Sequence, residues 1–119
     1  MAYHITHNEH YILLEPENEY LETEDLDDII NQMLGDFSEV GYVIFFIGTL
    51  DYFNEEDMEQ LVFLNDELVV KGGYLLVVST SDNIKEQMAD KIELAASIDE
   101  AIDIIESEWL DKELFSEES

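Results

Sequence analysis

Side chains that could take part in chemistry are concentrated in two short stretches of the sequence. His4, His7 and His10 are three residues apart, a spacing that on a helix would bring three imidazoles to one face, where they could hold a transition metal. The same stretch has the pattern of two strands and a turn, and residues three apart in a strand point to opposite sides. The pattern therefore favours a solvated N-terminal hairpin over a metal site.

Carboxylate and amide side chains form the second stretch. Asp51 with Asn54, Glu55, Glu56 and Asp57 could hold a divalent cation through oxygen ligands. The spacing of a calcium-binding loop is missing, and acids in the first turn of a helix commonly complement the helix dipole. Because Asp and Glu account for 31 of the 119 residues, neighbouring acids carry little information about acid–base catalysis.

The motifs of the common enzyme classes are missing from the sequence. It contains no Cys, which removes disulfides, thiolate zinc sites and cysteine nucleophiles. It has no P-loop, no dinucleotide-binding glycine pattern, no nucleophile elbow and no Arg to hold a phosphate. We therefore expect a protein that is not an enzyme and needs no cofactor.

The charge of the chain limits its partners. Four Lys against 31 acids give a formal net charge of -27, which argues against binding to nucleic acid or to anionic membranes. Hydrophobic residues make up 46% of the chain, enough for one packed core, and no segment is long and apolar enough to span a bilayer. We expect a cytoplasmic protein whose acidity reflects either a salt-rich interior or a basic partner.

The N-terminal half has the pattern of two strands, a helix and a buried strand. We predict short strands over 3–6 and 11–15, separated by a polar turn. From Asp25 a helix is predicted, with Thr23 as its candidate cap, because apolar residues recur at the three and four spacing of one helix face. These residues are Leu26, Ile29, Ile30, Met33, Leu34 and Phe37. The apolar run 42–47 predicts a central strand that is buried on both faces.

The next helix is predicted to begin after the cap Asn54 and to end near Val70, before Gly72 and Gly73. Its predicted core stripe consists of Met58, Leu61, Val62, Leu68 and Val69, interrupted by Asn65. Phe63 and Val70 lie off this stripe, and they either pack in the core or form a small exposed apolar strip.

Four further elements complete the predicted order. A strand over 74–79 precedes the cap-rich residues 80–83, a short helix and a short strand over 92–94. Ser97 and Glu100 have the spacing of a capping box and open the last helix. The apolar side of that helix is Ile98, Ala101, Ile102, Ile105 and Trp109.

This alternation of strands and helices predicts an α/β sandwich, in which helices pack on mostly parallel strands. Residues 1–110 are expected to form a single domain, and 111–119 an acidic C-terminal tail that frays.

Residues 42–105 resemble a STAS domain, the fold of bacterial anti-sigma factor antagonists and of the cytoplasmic tails of sulphate transporters. An apolar strand leads through a short loop into a helix that ends at Lys71, Gly72 and Gly73, directly before the strand 74–78. A capped short helix, a short strand and a closing helix follow. The resemblance covers roughly residues 3–109. It implies a STAS-like sandwich, a mixed and mostly parallel sheet of about five strands with four helices.

Counting back from the Gly-Gly junction places Asn54, Glu55, Glu56 and Asp57 where the family typically has Asp-Ser-Ser/Thr-Gly. In those relatives the second hydroxyl residue is phosphorylated by a partner kinase that is also the anti-sigma factor, and the phosphate breaks the complex. Glu56 occupies this position and cannot be phosphorylated. Its carboxylate either resembles the phosphorylated, released state or marks a changed partner that recognises acid.

The resemblance implies a regulatory protein-interaction module without enzymatic activity. Its expected partner is an anti-sigma factor or kinase-like protein with a basic face. The predicted contact residues are Asp51, Asn54, Glu55, Glu56, Asp57 and Met58, extended along the helix by Phe63. The alternative is a small-molecule or divalent-cation binding domain that uses the strand ends near Asp51 to Asp57.

Overall fold

The computed structural model describes residues 3–8, 10–16, 28, 31–32, 41–48 and 50–118. Within them lie five strands: β1 (Tyr3–His7), β2 (Ile12–Pro16), β3 (Tyr42–Phe46), β4 (Tyr74–Val78) and β5 (Glu93–Ala95). The described helices are α1 (Glu55–Val70), α2 (Asp82–Met88) and α3 (Ile98–Glu118). The helix predicted from Asp25 lies largely outside the described residues; Asp28, Asn31 and Gln32, which are described, are helical.

The five strands form one mixed sheet in the order β1–β2–β3–β4–β5. β1 and β2 are antiparallel, and the other three neighbouring pairs are parallel. The prediction of an α/β fold with a mixed, mostly parallel sheet of about five strands is thus confirmed.

Both faces of the sheet are covered, as the continuous apolar runs of β3 and β4 predict. Alternate strand residues, such as Val43 and Leu75, point to the face on which α1 and α2 pack. Their neighbours Ile44 and Leu76 point to the opposite face, where Ala101 of α3 is buried against them. The loop before α1 therefore meets the core on the face of the sheet that α1 and α2 cover.

The buried face of α1 differs from the predicted stripe. Leu64, which the prediction omitted, is fully buried, whereas Val69 is 54% exposed. Apolar side chains occur nearly all around this helix, so their spacing does not by itself select the face that meets the sheet. Asn65, which interrupts the predicted stripe, ties α1 to the sheet, because its Oδ1 accepts a hydrogen bond from the Leu75 amide at 2.9 Å.

The end of α1 confirms the predicted helix-to-strand turn. The Gly72 amide donates to the Val69 carbonyl at 3.0 Å and the Gly73 amide donates to the Leu68 carbonyl at 2.9 Å, the two bonds of a Schellman motif. Gly72 adopts a φ of 91°, which favours glycine. Gly73 has a second role: a Cβ at this position would lie 1.5 Å from the carbonyl oxygen of Gly41.

The last helix begins as predicted and ends later. The Glu100 amide donates to Ser97 Oγ at 3.1 Å, which confirms Ser97 as the cap. The Glu100 carboxylate accepts a hydrogen bond from the Ala96 amide at 3.3 Å, one residue before the amide that a capping box uses. The helix then continues to Glu118, whereas the sequence predicted a frayed tail from Asp111. Residues 111–118 contain no Gly or Pro and are mostly good helix formers, so the acidic composition does not end the helix.

Candidate functional site

The loop that leads from β3 to α1 is held against the start of α2 by Asp51. Its Oδ1 accepts a hydrogen bond from Ser81 Oγ, and its Oδ2 accepts one from Asn83 Nδ2 at 2.9 Å. These two hydrogen bonds hold the pKa of the Asp51 carboxyl below its ordinary value, and the bond from Ser81 has the larger effect. Asp51 thus has a structural task at the surface, and both its oxygens are already engaged by protein donors.

A second pair of hydrogen bonds fixes the same loop two residues later. The Phe53 amide donates to Gln87 Oε1 at 2.9 Å, and Gln87 Nε2 donates to the Phe53 carbonyl at 2.7 Å. The Phe53 side chain is buried in the core beneath the loop. The route from β3 to α1 is therefore defined by contacts with α2 on one side and with the core on the other.

The N-terminus of α1 is built as predicted. Asn54 is the cap, and its Oδ1 accepts a hydrogen bond from the Asp57 amide at 2.7 Å. Glu55 and Glu56, in the first turn, are exposed to solvent. Their carboxylates complement the positive end of the helix dipole and remain accessible to a partner.

Two of the six predicted contact residues lie elsewhere than expected. Asp57 is only 1% exposed, so its side chain cannot reach a partner at the surface. Met58 is also buried, and its side chain lines the groove between the two helices α1 and α2 instead. Asp57 and Met58 lie on the side of α1 that turns toward the core, together with Leu61 one turn later. The structure leaves Asp51, Asn54, Glu55 and Glu56 at the surface, so these four stay the predicted direct contacts, whereas Asp57 and Met58 lie beneath them.

Large apolar side chains are exposed on α1 and on the loop before it. Phe63 is 57% exposed and Val70 is 85% exposed, so the two residues form an exposed strip on α1 and do not pack in the core. Tyr52 is 64% exposed on the loop before the helix. The sequence did not identify Tyr52 as an exposed residue, because no local pattern distinguishes it from an aromatic residue of the core. The loop that carries it is fixed by four hydrogen bonds.

An open groove of about 680 Å³ runs between α1 and α2. Its lining includes the apolar side chains of Tyr52, Met58 and Val62, the carboxylates of Glu55 and Glu59, and Lys91. We refer to this feature, defined by these six residues, as the α1–α2 groove. Its acidic wall belongs to α1, and it opens beside the exposed first turn of that helix.

The histidines of the N-terminal hairpin are separated in the structure. His4 and His7 are exposed on β1, whereas the ring of His10 lies 4.3 Å from the indole of Trp109 on α3, measured between centroids. In the part of the chain that the structure describes, no group of three or more His, Asp or Glu side chains is placed to hold a metal ion.

The described strands and helices define the fold class of the chain, whereas comparisons with family models and curated proteins find no significant match. The chain is a small α/β protein with a five-stranded mixed sheet, and no described helix has the length and apolar character that a membrane span requires. No protein-family model matches the sequence, and no curated protein matches it significantly.

A solved structure does share the fold. The protein TM1081, determined by NMR, superimposes with a TM-score of 0.66 over 86% of each chain. The two sequences are 12% identical, so this likeness establishes a common fold and nothing about function.

Proposed function

We propose that this chain is a STAS-like regulatory module without enzymatic activity, similar to anti-sigma factor antagonists, which binds a protein partner through the first turn of α1 and the loop before it. The observation that carries the proposal is the exposure of Glu55 and Glu56 on a capped first turn, at the place where the resembling family carries its phosphorylatable residue. The helix that ends in the Gly72–Gly73 turn directly before β4 supports the same resemblance.

The partner is proposed to be an anti-sigma factor or kinase-like protein with a basic face. The surface of α1 supports this choice, because Glu56, Glu59, Asp66 and Glu67 are all exposed along it. A basic surface on the partner would accelerate its association with the acids of α1. Acidic proteins would be disfavoured as partners, because like charges repel.

Glu56 decides how such a module would be regulated. A phosphate switch at this position is ruled out by the residue type, so binding would depend on the carboxylate itself. We favour a partner that has changed to recognise acid over a permanently released state, because exposed acids follow one another along α1 and a single carboxylate carries less charge than a phosphate.

The test reverses the two exposed charges and measures capture of the purified anti-sigma-factor kinases of the source organism by surface-immobilised chain. Glu55→Lys combined with Glu56→Lys is expected to weaken binding at least about tenfold while the circular dichroism spectrum is unchanged.

The matched control is Asp99→Lys with Asp103→Lys, which makes the same charge change on exposed residues of α3, across the sheet. Equal binding by the two double variants, or unchanged binding by the α1 variant, would exclude this surface. Failure of the unmodified chain to bind any of the kinases would exclude the partner class.

A further inference from the structure

The α1–α2 groove adjoins the proposed contact surface and shares Glu55 with it. Its apolar side chains, Tyr52, Met58 and Val62, come from the loop and from α1, and its volume of about 680 Å³ is ample for a large side chain together with part of its backbone. It lies directly beside Glu55, so a partner that binds the first turn of α1 would pass over its opening.

The groove is formed before any partner arrives. The paired hydrogen bonds between Phe53 and Gln87 connect its loop wall to α2, and those from Ser81 and Asn83 to Asp51 hold the preceding residues. A site that is already ordered loses little conformational entropy on binding, so a single buried anchor there can contribute a large share of the affinity.

The charges around the groove select its occupant. Glu55 and Glu59 form the wall on α1, against the one ammonium group of Lys91 on the other side. A second copy of this chain would bring another surface of a molecule with a net charge of -27 against these carboxylates, which is unfavourable. A segment that places Lys or Arg on either side of an apolar side chain satisfies both the carboxylates and the apolar floor.

We propose that the α1–α2 groove receives one large apolar side chain of the protein partner, and that basic residues flank this anchor in the partner's sequence. The inference rests on the proposed function, because it assumes a protein partner at the first turn of α1, and it adds the chemistry by which that partner is recognised. Lys91 then faces the backbone or an acceptor of the bound segment.

One experiment tests the groove without the kinases. A synthetic helical peptide with a single Trp between Lys residues is titrated into the ¹⁵N-labelled chain, and amide shifts are followed at Phe53, Val62 and Gln87. Saturable shifts at these residues are expected, with binding at least about tenfold weaker when Trp is replaced by Ser or the Lys residues by Glu. No saturation, equal binding by either control peptide, or shifts confined to α3 would overturn the proposal.

A second experiment uses the kinases and four single variants. Tyr52→Ala and Glu59→Lys are each expected to weaken kinase binding at least about fivefold. Leu110→Ala and Asp103→Lys, which change an exposed apolar residue and an exposed acid of α3, away from the groove, should stay within about twofold.

The two proposals fail in different ways. Kinase binding that is lost with Glu55→Lys and Glu56→Lys but unaffected by Tyr52→Ala and Glu59→Lys would overturn the groove and leave the proposed function standing. Saturable peptide binding in the groove, without binding of any kinase, would overturn the proposed function and support the groove.

Discussion

Replacing Gln87 by Met tests whether the loop before α1 is fixed by α2. Met has a similar volume and cannot form either of the hydrogen bonds that Gln87 makes with the Phe53 amide and carbonyl, at 2.9 and 2.7 Å. The two backbone groups are partly buried, and a neutral hydrogen bond contributes a net 0.5–1.5 kcal/mol, so the loss should be about 1–3 kcal/mol.

The magnitude can be read from two assays. Urea denaturation should give the full loss in unfolding free energy, and the melting temperature should fall by about 4 °C for each kcal/mol in a domain of this size. Hydrogen exchange of the Phe53 amide reports the loop alone, and its rate should rise about 5- to 150-fold, the factor that corresponds to 1–3 kcal/mol.

The control is Glu86→Met, which places the same side chain at the neighbouring, exposed position of α2. It should leave exchange at Phe53 unchanged. The contrary results are exchange of the Phe53 amide at the wild-type rate in Gln87→Met, or equally fast exchange in Glu86→Met and Gln87→Met. Either result would show that the hydrogen bonds between Phe53 and Gln87 neither hold the loop nor preform the groove.

Three further predictions concern local features. Asn54→Ala removes the cap of α1 and should lower the unfolding free energy by about 1 kcal/mol in urea denaturation, whereas Asn54→Asp should retain most of it. Gly73→Ala should cost about 3 kcal/mol or more, because its Cβ would meet the Gly41 backbone at 1.5 Å. Gly41→Ala should cost about 1–2 kcal/mol, because its Cβ would meet nothing within 4 Å but its φ of 99° is unfavourable for Ala. A larger loss of melting temperature for Gly41→Ala than for Gly73→Ala would contradict the close approach of Gly73 to Gly41. Burial and the nearby Glu108 carboxylate raise the pKa of Tyr74, so the unfolding free energy should fall as pH rises above 10.0, where the unfolded chain ionises first. Tyr74→Phe should flatten that pH dependence, as measured by urea denaturation at increasing pH.

Helix starts could be predicted because their causes are local. The Asn54 side chain bonds the amide three residues later, and Ser97 does the same with the amide of Glu100. Such bonds depend on a few neighbouring residues, so residue type and spacing are enough to locate them. The Gly72–Gly73 turn belongs to the same group, since both of its hydrogen bonds are made within the last turn of α1.

The buried side of α1 required the sheet. Leu64 and Val69 are both apolar and both belong to a helix with apolar residues on most sides, yet one is fully buried and the other is 54% exposed. The same rotation of the helix carries Asp57 into the interior, which no charge pattern in the sequence would predict, since carboxylates are rarely buried.

The sequence by itself determined the order of strands and helices, the capped acidic first turn of α1 and the acidic character of the surface, because these follow from composition and from neighbours within about one helical turn. Only the tertiary structure decided how the loop before α1 is held and where the α1–α2 groove lies. Asp51 meets Ser81 and Phe53 meets Gln87 across 30 and 34 residues of chain, and the α1–α2 groove exists only because these pairs hold the loop against α2. Contacts between residues so far apart depend on how parallel neighbouring strands bring their following loops to one edge of the sheet, and this arrangement leaves no local mark in the sequence.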